Sequence, residues 1–389
     1  MSAPTSSFKS PFVFLAMSSV VMTLAFSGWM ALLNNFTIEA ANFTGREIGI
    51  LQSLREVPGF LAFTAVFVLL VLKEQTFALV SLCLLTIGVT LTGLFPFELG
   101  LYATTVLMST GFHYFETVNQ SLSLQWFSKD EAPKQLGRLL SIKSIAALVV
   151  YGFIWLAFSV YSMQFSTAYL ILGGLGFMIT VWMWLVMPQF EQKVVQHKNL
   201  ILRKRYWLYY LLTFLSGARR QIFVVFAGFM MVEKFGYSVA DITLLYMVNH
   251  LLNIYLAPKI GEWIGHVGER KALTMEYIGL ILVFSGYALV DNGYFAAALY
   301  VIDHVFFAMA IAIKTYFQKI ADPKDIASTA GVSFTINHIA AVVIPALFGL
   351  IWLYNPSLVF FAGAGLAACS LIASQFVDKI GYQLQASVR

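Results

Sequence analysis

Charge is scarce in this sequence. Asp, Glu, Lys and Arg make up 11% of its 389 residues against 59% hydrophobic, and the mean hydropathy is +0.79. Soluble domains average about 25% charged residues, so composition alone excludes an ordinary water-soluble globule and makes this a membrane protein. Polar stretches long enough for a separate soluble domain are missing as well. Cysteine is nearly absent; Cys83 and Cys369 both sit in apolar runs, where a thiol acts as a small hydrophobe and says nothing about redox compartment. No G-x-x-x-x-G-K-[ST] phosphate loop occurs, which argues against direct ATP drive from this chain.

What the sequence has is apolar length. A helix needs about 20 apolar residues to cross the hydrocarbon. Twelve such runs occur, at 12–36, 47–72, 77–95, 101–127, 137–161, 165–187, 206–232, 239–264, 271–290, 295–320, 328–353 and 357–377. Unbroken runs of this length are not the alternating pattern of barrel strands, so the expected fold class is an all-α integral membrane protein with twelve transmembrane helices. The leading "MSAPTSSFKS" carries one Lys and runs into a span too long for a signal h-region. The first helix is therefore expected to be retained.

Lys and Arg concentrate on the cytoplasmic side of membrane helices. With the N-terminus inside, only Arg46 and Lys234 fall outside the membrane on the far face. Arg55, Lys143, Arg219, Arg220 and Lys314 fall within spans, and every other Lys and Arg is cytoplasmic. This predicts a multi-pass protein with both termini in the cytoplasm. A monomer in the lipid bilayer of a bacterial inner membrane is expected. The net charge of +5 reflects topology and buried cations, and no nucleic-acid partner is expected.

The sequence also overlays itself at a shift of 194 residues. "GRLLSIKSIAALVV" from Gly137 lies over "GVSFTINHIAAVVI" from Gly331, and "EAANFTGREIGIL" from Glu39 lies over "EKFGYSVADITLL" from Glu233. An even number of spans per repeat gives two halves of the same orientation. The expected organisation is an N-terminal six-helix half over 1–187, a cytoplasmic central loop over 188–205, and a C-terminal six-helix half over 206–389.

Two parallel six-helix repeats resemble the major facilitator superfamily. The most specific motif for it is "GEWIGHVGERKAL" between spans eight and nine, which is similar to the family loop G-x-x-x-D-R-x-G-R-[RK] at Gly261, Gly268, Arg270 and Lys271. Gly265, His266 and Glu269 stand where the family has Asp, Arg and Arg, and the equivalent first-half turn, "LLVLKEQTFAL", lacks the motif. The resemblance implies alternating access about a midplane site, with spans one, four, seven and ten lining the cavity and two, five, eight and eleven bordering the interface. It gives no sign of the Gly-Pro-rich fifth span of drug/proton antiporters.

Ionisable groups inside a membrane are costly, about 2.5–3.5 kcal/mol each on insertion scales, and so point to sites. Here they are Arg55, Glu56, His113, Glu116, Lys143, Arg219, Arg220, His250, Asp303, His304, Lys314 and His338, with Glu276 placed nearer a membrane face. The repeat lays Arg55-Glu56 over Asn249-His250 and Lys143-Ser144 over Asn337-His338, so polar doublets recur on spans two, five, eight and eleven. These suit gating or structural pairing, with substrate contact as the other reading. On span four His113, Glu116 and Gln120 form one helical stripe beside Asn119. On span ten Asp303, Phe307 and Lys314 share a face. On span seven Arg220 continues the stripe of Thr213 and Ser216, which makes it the better substrate ligand. Arg219, about 100° away, faces Leu212 and Phe223 and is expected to pair with a carboxylate or stack on a ring.

Intramembrane Lys and Arg outnumber Glu56, Glu116 and Asp303, and an Arg fork fits carboxylate or phosphate. The expected function is secondary active transport of a small anionic or zwitterionic organic solute. Protons are the expected coupling ion, with Glu116 first, then Asp303 and Glu56, as the titrating group. No cofactor and no metal is expected. A non-transporting sensor on a transporter scaffold, or an integral-membrane enzyme using intramembrane His and Glu, are the alternatives. Trp29, Asn34 and Asn35 on span one and Tyr246 with Asn249 on span eight are weaker pathway residues. The N-x-T sequons at Asn35 and Asn42 read as chance occurrences.

Overall fold

The computed structural model describes residues 9–126, 132–190, 202–321 and 326–377. Most of the central loop lies outside that set, as do Lys129, Lys193, Lys198, Lys324, Lys379 and Arg389, which the topology reading uses. The described residues form helices and no strands: α1 (Pro11–Glu39), α2 (Gly45–Phe60), α3 (Ala65–Val68), α4 (Glu74–Thr92), α5 (Glu98–Trp126), α6 (Ala132–Ser159), α7 (Phe165–Val186), α8 (Trp207–Gln221), α9 (Gly228–Glu233), α10 (Val239–Val267), α11 (Glu269–Leu289), α12 (Gly293–Ala308), α13 (Ile311–Ile320), α14 (Ile326–Tyr354) and α15 (Pro356–Ser374). Each apolar run of the sequence falls on one of these helices or on a divided pair. A helix satisfies its own backbone, which is why lipid permits no open alternative.

Ten segments are long and apolar enough to cross a membrane. Spans two and four are helical but fall short of that measure, for chemical reasons. In span two Pro58 removes a backbone donor, α2 stops at Phe60, and a 3-10 turn over Leu61–Thr64 leads into α3. In span four the stripe of His113, Glu116, Asn119 and Gln120 lowers the hydropathy of α5. Spans seven and ten are also divided. A π segment, Ile222–Ala227, separates α8 from α9, and Met309 and Ala310 separate α12 from α13.

Side-chain caps set several helix starts. Ser10 accepts from the Val13 amide at 3.3 Å with Pro11 at the first position of α1, and Asn355 accepts from the Ser357 amide at 2.9 Å with Pro356 opening α15. These are the preferred N-cap residue types followed by a proline whose missing donor is no loss.

The chain folds into two compact units: Met1–Asn42, Leu54–Gln196 and Ser238–Leu244 in one, and Phe43–Ser53, His197–Tyr237 and Leu245–Arg389 in the other. Within the first, α1 packs on α6 and α7, and α4 packs on α5 and α7. Within the second, α8 packs on α14 and α15, and α11 packs on α12 and α15. Counted by span, pairs 1–5, 1–6, 3–4 and 3–6 recur as 7–11, 7–12, 9–10 and 9–12, as a repeat of six helices requires.

Small residues let membrane helices approach closely, and the α4–α5 pair depends on two. A Cβ on Gly88 would lie 2.5 Å from the Met108 nitrogen, and one on Gly111 would strike the backbone at Ser81 and Leu85. At Gly152 on α6 a side chain meets open space. Gly111→Leu is therefore expected to destabilise the protein by at least the usual over-packing cost, about 1–3 kcal/mol, and Gly152→Leu to leave it unchanged; thermal melts of the purified variants followed by size-exclusion chromatography give the comparison.

Candidate functional site

In the first unit the polar groups lie on α2, α5 and α6. Arg55 and Glu56, neighbours on α2, are both buried at 7% exposure and form an ion pair at 2.5 Å. A second Arg55 nitrogen lies 3.4 Å from the Met30 sulfur, and the Ser109 hydroxyl donates to the Arg55 carbonyl. Along α5 the stripe passes from dry to wet: His113 and Asn119 are buried, Glu116 is half-buried and Gln120 is exposed. Lys143 on α6 reaches Glu116 at 3.2 Å. Both side chains are partly exposed, so this pair is held by about 1 kcal/mol at most and opens readily.

In the second unit the two adjacent arginines part company. Arg219 is 3% exposed; its Nε donates to the Leu215 carbonyl at 3.2 Å, its guanidinium lies 4.5 Å over the Tyr277 ring, and an Nη lies 3.7 Å from a Glu276 oxygen. Asp303, 2% exposed, is within electrostatic reach of both Arg219 and Glu276. Arg220 is exposed, with its guanidinium 5.2 Å from the Phe307 centroid. His304, half-buried, lies within electrostatic reach of Arg220 and of His250. Three basic groups from α8, α10 and α12 thus gather on one side, and a buried acid–base cluster forms from α8, α11 and α12 on the other.

Glu276 is the residue that sequence reasoning undervalued, having placed it near a membrane face. Nothing local marks it, because its partner lies two spans away in the sequence and the pairing depends on how the second unit packs. Asp303 and Lys314, expected on one face, are separated by the break at Met309 and Ala310; Asp303 is buried and Lys314 exposed.

The polar doublets are largely interior. Asn249 is 3% exposed and, with Asn253 and His304, lines a cavity of about 10 Å³, near the lower limit for one water molecule. Asn337 presses its side-chain oxygen against the backbone at Gly217, and His338 places Nδ1 2.8 Å from the Phe334 carbonyl. Trp29 and Asn35 have no exposed surface, and Asn35 donates to Glu39 at 2.9 Å.

The loop motif keeps its shape and changes its charges. Gly268, at φ +84°, is the single residue between α10 and α11, a backbone setting that other residues adopt only with strain. Glu269, where the family motif has Arg, accepts from Lys319 at 2.7 Å; Arg270 reaches the Gln375 side-chain oxygen at 3.3 Å. Lys271 is exposed, and a Cβ on Gly261 meets open space.

Removing one partner of a buried charge cluster costs about 3–5 kcal/mol, whereas an exposed cation costs about 0.5 kcal/mol or less. Arg219→Ala is accordingly expected to lower the melting temperature sharply and Arg220→Ala to leave it nearly unchanged, in parallel melts without added solute.

Comparison with known proteins places this arrangement. A family model described as Major Facilitator Superfamily matches residues 15–345. No curated protein gives a match. Among solved structures, the nucleoside transporter NupG is 15% identical with a TM-score of 0.76, covering 95% of this chain and 99% of that one. A bacterial homolog of the human lysosomal transporter Spinster, inward-facing and occupied, is 12% identical with a TM-score of 0.69, covering 99% and 98%. A POT family transporter in complex with 5-aminolevulinic acid is 12% identical with a TM-score of 0.73, covering 96% of each chain. At these identities the likeness is one of fold; the family match extends over most of the sequence, and the chain belongs to the Major Facilitator Superfamily.

Proposed function

We propose that this secondary transporter carries a small anionic or zwitterionic organic solute by alternating access, coupled to protons, across a bacterial inner membrane with both termini cytoplasmic. The observation that carries the reading is the basic cluster of the second unit. Arg220 is exposed on Phe307, with His304 within electrostatic reach of it and of His250. The acids of the same membrane region, Glu276 and Asp303, are buried on Arg219. A guanidinium backed by an aromatic ring, with an imidazole in reach, suits a carboxylate or phosphate, which it meets with paired hydrogen bonds. Lys314, on α13, is a further exposed cation of the same unit.

In the first unit the exposed end of the α5 stripe, Glu116 and Gln120, gives acceptors for an ammonium or hydroxyl group, which a zwitterion would use. The Lys143–Glu116 pair is weak enough to exchange partners with such a solute. One of the fold relatives is described with 5-aminolevulinic acid bound and another as a nucleoside transporter. The two solutes make a discriminating pair for this chain, because one carries a carboxylate and the other is uncharged.

The test is a thermal-shift screen of the purified protein against organic anions, 5-aminolevulinic acid and an uncharged nucleoside. Carboxylate-bearing solutes are expected to stabilise the wild type. Arg220→Ala is expected to weaken their binding by about 10- to 150-fold, the worth of a charge-assisted hydrogen bond of about 1.5–3 kcal/mol. Stabilisation by the nucleoside alone, or by an anion with equal effect on Arg220→Ala, would remove the anion site from Arg220.

A further inference from the structure

The interior of the second unit contains an imbalance of charge that the solute site does not use. Glu276 and Asp303 are each 2% exposed and Arg219 is 3% exposed. If both acids are ionised, the cluster holds two negative charges against one positive. An uncompensated ion in such surroundings costs several kcal/mol.

No further cation from the neighbouring elements balances the sum. On α8 the next charge, Arg220, is exposed on Phe307. On α12 His304 is within electrostatic reach of Arg220 and His250. On α13 Lys314 is exposed and Tyr316 is buried; on α14 His338 meets the Phe334 carbonyl. Glu233 of α9 accepts from the Trp352 indole, and α15 brings only the exposed Cys369. From α11, Tyr277 and Tyr287 face the cluster with buried hydroxyls.

Hydrogen bonding is equally incomplete. At 3.7 Å the Arg219–Glu276 contact is too long for a hydrogen bond. The other Glu276 oxygen, Asp303 Oδ1, an Arg219 Nη and the Tyr287 hydroxyl have no hydrogen-bond partner among the described residues. An ionised carboxylate only accepts, whereas a protonated one also donates. One proton would therefore bring the cluster to neutrality and supply the donor that a second acceptor oxygen requires.

We infer that Glu276 and Asp303 bind one proton between them opposite Arg219, and that this buried trio, rather than Glu116, is the proton site of the carrier. The coupling role rests on the proton-coupled reading given above; the bound proton does not. Glu116 is partly exposed and held by Lys143 in a pair that is already neutral. The buried trio also adjoins two irregular stretches of helix. The π segment opens at Ile222, shortly after Arg219, and α12 breaks at Met309 and Ala310, below Asp303. Such irregularities are frequent where a helix serves function, and they give the trio a means of changing its packing when the proton leaves.

Infrared difference spectra of the purified protein between neutral and strongly alkaline pH test the inference. The wild type is expected to show the carbonyl stretch of a protonated carboxyl group at neutral pH and to lose it as pH rises. Asp303→Asn and Glu276→Gln are each expected to abolish the band completely, since the acid that remains is neutralised by Arg219. Glu116→Gln is expected to retain it. A wild type without the band contradicts the inference with no variant required. A band surviving either isosteric substitution in a monodisperse protein also contradicts it. The spectrum needs no solute, so the two readings fail separately: an intact band in a carrier whose flux ignores a pH gradient removes the coupling, and gradient-driven flux without the band removes the site.

Discussion

A guanidinium cannot shed its charge inside a protein, so wherever the fold buries Arg219 it must also bury an answer to it. The answer comes from two other helices, with Glu276 on α11 and Asp303 on α12, and Tyr277 supplies the ring beneath the cation. The requirement thus joins residues of α8, α11 and α12 in one cluster. It also explains the placement of the neighbouring arginine. Successive helical residues diverge by about 100°, so once Arg219 points into the interior Arg220 must point elsewhere, and it lies exposed on Phe307. One dipeptide thereby supplies a buried cation and an exposed one.

The first unit manages its charges differently. Its buried pair, Arg55 and Glu56, is made by neighbours on one helix, and its other pair, Lys143 and Glu116, is partly exposed. Neither leaves an excess of acid in a dry interior. The two units share the same helix pairings but not the same electrostatics. The loop between α10 and α11 shows a similar divergence: Gly268 preserves the turn, while Glu269 with Lys319 and Arg270 with Gln375 form contacts that the family motif does not predict.

Much of the fold was legible in the sequence because lipid leaves so few solutions. Apolar length located the helices, ten of which are long and apolar enough to cross a membrane, and the 194-residue overlay is matched by the recurring helix pairs. The breaks were not legible: span two reads as one run although Pro58 lies just before its division, and no local residue announces the π segment after Gln221 or the split at Met309. At the site, helical angle alone separated Arg219 from Arg220 and gave Arg219 a carboxylate or ring as partner. Glu276 could not be identified, since its role arises from the packing of α11 on the second unit. Asp303 and Lys314 seemed to share a face because the sequence reads as one helix where the structure has two.

The proposed division of labour gives the solute to an exposed cation and the proton to a buried acid pair. It is tested most directly in proteoliposomes by imposing an inward proton gradient and measuring accumulation of an anion that stabilises the purified carrier. Accumulation by the wild type and its loss in Asp303→Asn are the predicted results. Accumulation undiminished by Asp303→Asn would contradict the account.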